Sequence, residues 1–198
     1  MFRGIYQKEI QNFDPKEITN EYKELFKKYK DKFHVICGKY SNLKGRFAEY
    51  MIVNHLKLRA YNNNDLFCSI MNNLPEDFKF VEYKTVWKYT ASPVLKKSME
   101  IDVFARAEKD EYSLIGEVKN RLIPFSLDEA KAFLVKANEL IKLESIGKVL
   151  LFVYSIKNFT KDALAFFKEN KIAWCDDERW LDNEINITNN DVQDEGRP

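Results

Sequence analysis

The chain has 198 residues, 45% of them hydrophobic and 14% aromatic, which is enough for one well-packed core and short for a second full domain. Six glycines and five prolines exclude collagen-like and low-complexity classes, and no apolar run approaches the roughly 20 residues a membrane helix needs, so no membrane partner is expected. The net charge of +1 hides an asymmetry: residues 176–198 hold eight acidic and two basic residues, a net of −6, which leaves +7 on residues 1–175 and suits a polyanionic partner.

Acidic residues come early at the N-terminus and no continuous apolar stretch follows, unlike a secretory signal or transit peptide. Cys37, Cys68 and Cys175 lie far apart without CxxC spacing, so reduced thiols and a cytoplasmic location are expected. His34 and His55 have no ligand pattern around them and are expected to be packed or solvated.

In chain order, residues 16–33 set Ile18, Tyr22, Leu25, Phe26, Tyr29 and Phe33 at helical spacing, with Asp14 as cap and Pro15 in the first turn. Gly38 is expected to punctuate this helix, and a second runs from about Asn42 to Arg59. The asparagine-rich stretch 61–77 lacks a firm period and reads as mostly loop. FKFVEYKTVWKYT, SMEIDVFARA and EYSLIGEVK then alternate as strands do, with EKDEY as a hairpin turn between the last two. SLDEAKAFLVKANELIKL follows as an amphipathic helix behind a Ser126 cap and Glu129 three residues on, a capping box. KVLLFVYSI reads as a strand covered on both faces, TKDALAFFKEN as a short helix, and IAWC as a last strand. The expected organisation is an N-terminal helical extension over 1–38, a core domain over 39–175 and an acidic tail over 176–198.

Charge falls where a core is expected. Strand alternation puts Glu100 and Asp102 on one face of the second strand, with Ile101, Val103 and Ala105 on the other, and puts Glu117 beside Lys119 on the third. If these strands form a hairpin, three charges converge at neighbouring positions. Burying them is costly unless they pair or bind a cation, so a structural ion pair and a metal site are the two readings. Asp102 and Glu117 offer hard oxygen ligands for Mg2+ or Mn2+, and Lys119 can orient or help deprotonate a water. Glu49 precedes Ile52, Val53 and Leu56 on an apolar helix face, with Gly45 one turn before it, where a missing side chain would allow close backbone approach.

These residues resemble the motif of the PD-(D/E)xK nuclease superfamily: Asp102 on one strand, Glu117-Val118-Lys119 on the next, and Gly45 with Glu49 on the preceding helix. Residue 101 is isoleucine where the name of the motif has proline, and no glutamine-bearing motif of the recombination branch follows Lys119. The resemblance implies a restriction-endonuclease-like α/β fold with a helix, three strands, a helix and a strand, over a mixed sheet flanked by helices. It implies a Mg2+- or Mn2+-dependent deoxyribonuclease, an endonuclease in preference to an exonuclease, with Asp102, Glu117, Lys119 and Glu49 catalytic and the three carboxylates as metal ligands. Lys44, Arg46, Lys88, Lys96, Lys97 and Arg121 are the expected nucleic-acid contacts, and the N-terminal helix a surface for homodimerisation. The alternative is a silent nuclease fold that binds nucleic acid or serves as an assembly module.

Overall fold

In the computed structural model the described residues are 20–90, 99–108 and 110–182, so Asp14, Pro15, Ile18, Lys96 and Lys97 lie outside them. By compactness the chain divides into two units, Met1–Asn42 and Leu43–Pro198. A single helix, α1 (Asn20–Leu58), replaces the two expected around Gly38. Gly38 keeps a negative φ, and nothing lies within 4 Å of where its Cβ would be. A helix interior accepts such a glycine at a cost of about 1 kcal/mol, and here it neither caps nor kinks the chain to an end.

The second unit is an α/β structure. After α1 come a short helix α2 (Asn64–Ser69), strands β1 (Thr85–Thr90), β2 (Glu100–Arg106) and β3 (Ser113–Lys119), helix α3 (Leu127–Leu143), strand β4 (Val149–Ser155), helix α4 (Lys161–Glu169) and strand β5 (Ala173–Cys175). The sheet order is β1-β2-β3-β4-β5, antiparallel through β3 and parallel from β3 to β5. The parallel β3–β4 step is made through α3, as a parallel connection requires a crossover. Helix α3 starts where its sequence predicts: Ser126 accepts from the Glu129 amide, and the Glu129 side chain accepts from the Ser126 amide.

Two apolar layers sandwich the sheet. One gathers Ala48, Ile52 and Leu56 of α1 with Phe67, Phe80, Val103, Leu114, Leu150 and Phe152. The other gathers Phe133, Ala137 and Leu140 of α3 and Phe167 of α4 with Ile101, Phe104, Ile115 and Val153. Strand β4 feeds both layers from alternate residues, which is why it reads as a continuous apolar run.

Residues 61–77 are mostly loop as expected, with Asn64–Ser69 helical and Asn72 bridging to Trp174. Two expectations change in the structure. Residues 78–84 are outside β1, although Phe78, Phe80 and Tyr83 are buried, because their polar links go to side chains and turns, such as Asn64 Nδ2 donating to the Phe80 carbonyl. Residues 176–182, assigned to the tail, include a 3-10 turn (Glu178–Leu181) whose Trp180 is buried against Phe67, with ring centroids 4.6 Å apart. His55 is packed, touching Phe67 and Trp180, and burial followed by the Arg59 charge lowers its pKa. His34 is exposed.

Candidate active site

Strand β2 does not alternate regularly. Its pairing with β1 matches Trp87 to Phe104 and Tyr89 to Ile101, so Asp102 and Val103 together oppose Lys88 alone. This is a β-bulge, one extra residue on β2. Its effect appears in the cores: Val103 and Ala105 lie in the α1 layer, whereas Ile101 lies with Phe104 in the α3 layer. The expectation that Ile101, Val103 and Ala105 share a face is therefore corrected, and the extra residue is the reason.

The bulge coincides with the end of the β2–β3 pairing, which runs from Ala105–Leu114 to Val103–Gly116. One residue further, Asp102 Oδ2 accepts a hydrogen bond from the Val118 amide at 2.9 Å, a side chain in place of the next backbone partner. The strands diverge around this carboxylate. Leu114 and Val118 face the α1 layer and Ile115 the α3 layer, so alternation assigns Glu117 and Lys119 to the α3 side. The charges thus converge at the open end of the hairpin, where strict alternation would put them on one sheet face.

Lys119 Nζ lies 2.6 Å from Glu117 Oε1 and 3.6 Å from Asp102 Oδ2. Lys136, on α3, donates to Glu117 Oε2 at 2.9 Å. Lys88 Nζ lies 2.9 Å from Glu49 Oε2 and 3.8 Å from Asp102 Oδ1, and also pairs with Glu100. Four carboxylates, Glu49, Glu100, Asp102 and Glu117, thus meet three ammonium groups, a balance of −1. Asp102 and Glu117 are each only 7% exposed, so their pairing partners, and not water, set their energies.

Burial and the Glu117 charge hold the Asp102 carboxyl above its ordinary value, against Lys119 and the Val118 amide. Burial pulls Lys119 down, but Glu117 and Asp102 outweigh it and raise the lysine, so it is an ammonium at neutral pH. The same contest at Lys88 is won by Glu100 and Glu49, again upward.

Glu49 is brought to the cluster by α1, whose Lys44 carbonyl accepts from Asn120 Nδ2, just past Lys119, at 3.1 Å. Gly45 does not make the expected close approach, since nothing lies within 4 Å of its would-be Cβ. Of the expected nucleic-acid contacts, Lys44 and Arg46 are exposed on α1. Lys88 is part of the cluster itself, and Arg121 is bound to Glu129 of the α3 capping box. Lys136 is not among the site residues that the sequence points to, and its place between Phe133 and Ala137 beside the apolar stripe is the signal for it. Glu100, which alternation places on the strand without a role, joins the cluster through Lys88.

Among the described residues no three of His, Cys, Asp and Glu stand close enough together to hold a metal ion as placed. The donor chemistry nonetheless suits a hard divalent cation: buried carboxylate oxygens from two diverging strands, a third carboxylate from α1, and repulsion by which Glu117 and then Glu49 push the Asp102 carboxyl upward. No protein-family model, curated protein or solved structure matches the chain. Among the described residues no helix is long and apolar enough to cross a membrane.

Proposed function

We propose that the protein is a metal-dependent nuclease of the PD-(D/E)xK type acting on DNA, with a restriction-endonuclease-like core. The observation that carries this reading is the meeting of Asp102, Glu117 and Lys119 where the β2–β3 hairpin opens. With the short α2 left aside, the element order from α1 through β4 is compatible with the one the resemblance implies.

Asp102 and Glu117, with Glu49 across the cluster, are the residues that would hold Mg2+ or Mn2+. Such an ion supplies charge neutralisation at a phosphate and acidifies a water. Lys119 enters as an ammonium, so its part is to attract the phosphate oxygens and stabilise charge as the bond breaks. A lysine that deprotonates the water would first have to lose a proton that two carboxylates hold in place. Lys136 keeps Glu117 oriented through its second oxygen, leaving the first to Lys119. Lys44 and Arg46 supply exposed positive charge on α1 for the nucleic-acid backbone.

One observation favours a second reading, a binding protein that does not cut: Lys88, Lys119 and Lys136 already serve every carboxylate of the cluster. The deciding experiment incubates the full chain with labelled linear, nicked, branched and single-stranded DNA, with and without Mg2+ or Mn2+, beside Glu117→Gln. The nuclease reading expects cation-dependent cleavage that the variant loses. Salt-sensitive DNA binding without cleavage under any cation would instead establish the binding protein.

A further inference from the structure

The described part of the first unit carries a long apolar line. Tyr22, Phe26, Tyr29, Phe33, Ile36 and Tyr40 follow one another in alternating steps of four and three residues, and in sequence the spacing continues to Leu43 and Phe47. The helix runs through Gly38 without the expected break, so the line lies on continuous α-helix. Tyr22, Phe26, Tyr29, Phe33 and Ile36 are between 58% and 72% exposed. The five steps from Tyr22 to Tyr40 span 18 residues, so the line keeps to one side of the helix along its whole length, a narrow exposed apolar stripe of the kind that another helix covers.

Charge identifies what covers it. The positions flanking the seam are Lys23, Leu25, Lys30, Lys32, Cys37 and Lys39, four lysines and no acid. Glu24 and Asp31, the acids between Tyr22 and Tyr40, fall on the heptad position farthest from the seam. A second copy laid along this line would set lysines against lysines. A lipid surface takes a broader apolar face than two residues in seven, and a phosphate backbone needs no apolar seam at all. The chain's own acidic stretch from Glu184 to Glu195 has no apolar residues in four-three steps.

We infer that the Tyr22–Tyr40 segment docks an amphipathic helix of a different protein, one with apolar residues in four-three steps and glutamate or aspartate beside them. The aromatic and isoleucine side chains supply the buried seam, and the lysines select the partner by charge. This surface is independent of the nuclease reading.

The test uses the full chain and two labelled three-heptad synthetic peptides, alike in leucines at four-three spacing and different in carrying glutamate or lysine at the flanks. Fluorescence anisotropy should show the glutamate peptide binding, weakening with salt, and the lysine peptide binding at least about tenfold more weakly, the sum expected of four exposed ion pairs. Phe33→Asp should abolish binding, and Lys30→Glu with Lys32→Glu should narrow or invert the preference. These residues are exposed, so circular dichroism should stay unchanged. Equal binding of the two peptides, or none, overturns the proposal. So does light scattering of a dimer that Phe33→Asp dissociates, which would put a second copy on the seam, or Phe33-dependent capture by phosphatidylserine vesicles, which would put lipid there.

Discussion

At the turn end of the β2–β3 hairpin, Lys84 pairs with Glu108, and Lys148 pairs with Asp77 while sitting 4.0 Å above the Tyr112 ring. At the open end, Lys119, Lys88 and Lys136 pair with Asp102, Glu49, Glu100 and Glu117. Both are lysine–carboxylate clusters of similar contact distance, yet the first stands in water and the second has its central carboxylates buried. Exposed pairs gain little because water and salt screen them. Buried ones carry a desolvation cost that an apolar replacement of the same shape would avoid. Two clusters that look alike on a contact map thus differ in what holds them: convenience at one end, a cost that a functional site would justify at the other.

The comparison can be broken most directly at Lys119. In the nuclease reading Lys119→Ala lowers cleavage by about two to three orders of magnitude, the loss expected of one charge-stabilising donor, measured as single-turnover rate, while DNA affinity stays close to the parent's. The same variant leaves two buried carboxylates short of a partner, so its thermal midpoint falls in chelator and recovers with Mg2+ by more than the parent's rises. Recovery equal to the parent's would show that a cation does not take the place of the lost ammonium, and no rise in either would show that none enters between Asp102 and Glu117.

Next in size is a packing control beside the cluster. A Cβ on Gly116 would lie 2.3 Å from Phe152 Cζ, and Phe152 is buried in the α1 layer. Gly116→Ala is expected to cost about 1–3 kcal/mol of overpacking, read by denaturant titration, and Gly116→Ala with Phe152→Leu should recover part of it. Stability unaffected by Gly116→Ala would mean that β3 and β4 can separate freely at this level.

A smaller effect has the opposite sign. Because the folded-state pKa of Asp102 is raised, the folded protein binds more protons than the unfolded one between the ordinary aspartate value near 4 and the raised value. Stability contributed by this group therefore falls as pH rises through that window and levels off above it. Asp102→Asn removes this fall, keeps an oxygen for the Val118 amide, and should raise the metal-free thermal midpoint at neutral pH while abolishing cation binding. A midpoint well below the parent's would show that ionised Asp102 stabilises the fold. At the turn end, Lys148→Ala should leave the thermal midpoint unchanged within measurement scatter. A large loss there would erase the contrast between the two ends.

Much of this arrangement is legible in the sequence because local rules agree with tertiary packing. The capping box of Ser126 and Glu129 marks the start of α3, and the unbroken apolar run at Val149–Ser155 marks a strand covered on both faces. Asp102, Glu117 and Lys119 are legible as charges inside apolar strands. What alternation misses is the bulge, since an extra residue on one strand is defined only by its partner, and Lys88 opposite it cannot be read from either strand alone. Lys136 is hidden for a related reason: a lysine edging a helical stripe looks solvated until the sheet beneath is placed. Gly38 misleads in the other direction, because glycine weakens a helix without being obliged to end it.

The bulge at Asp102 and Val103 also has a meaning for how such a chain can vary. A bulge is one residue that a strand can gain or lose, with the mismatch absorbed where pairing already stops. Deleting Val103 would return β2 to strict alternation and carry Glu100, Ile101 and Asp102 to the opposite sides of the sheet. The distance in sequence from this aspartate to the apolar residues that follow is therefore not a fixed ruler. An alignment that holds hydrophobic alternation constant would set the aspartate one column away from its true counterpart in a chain lacking the extra residue.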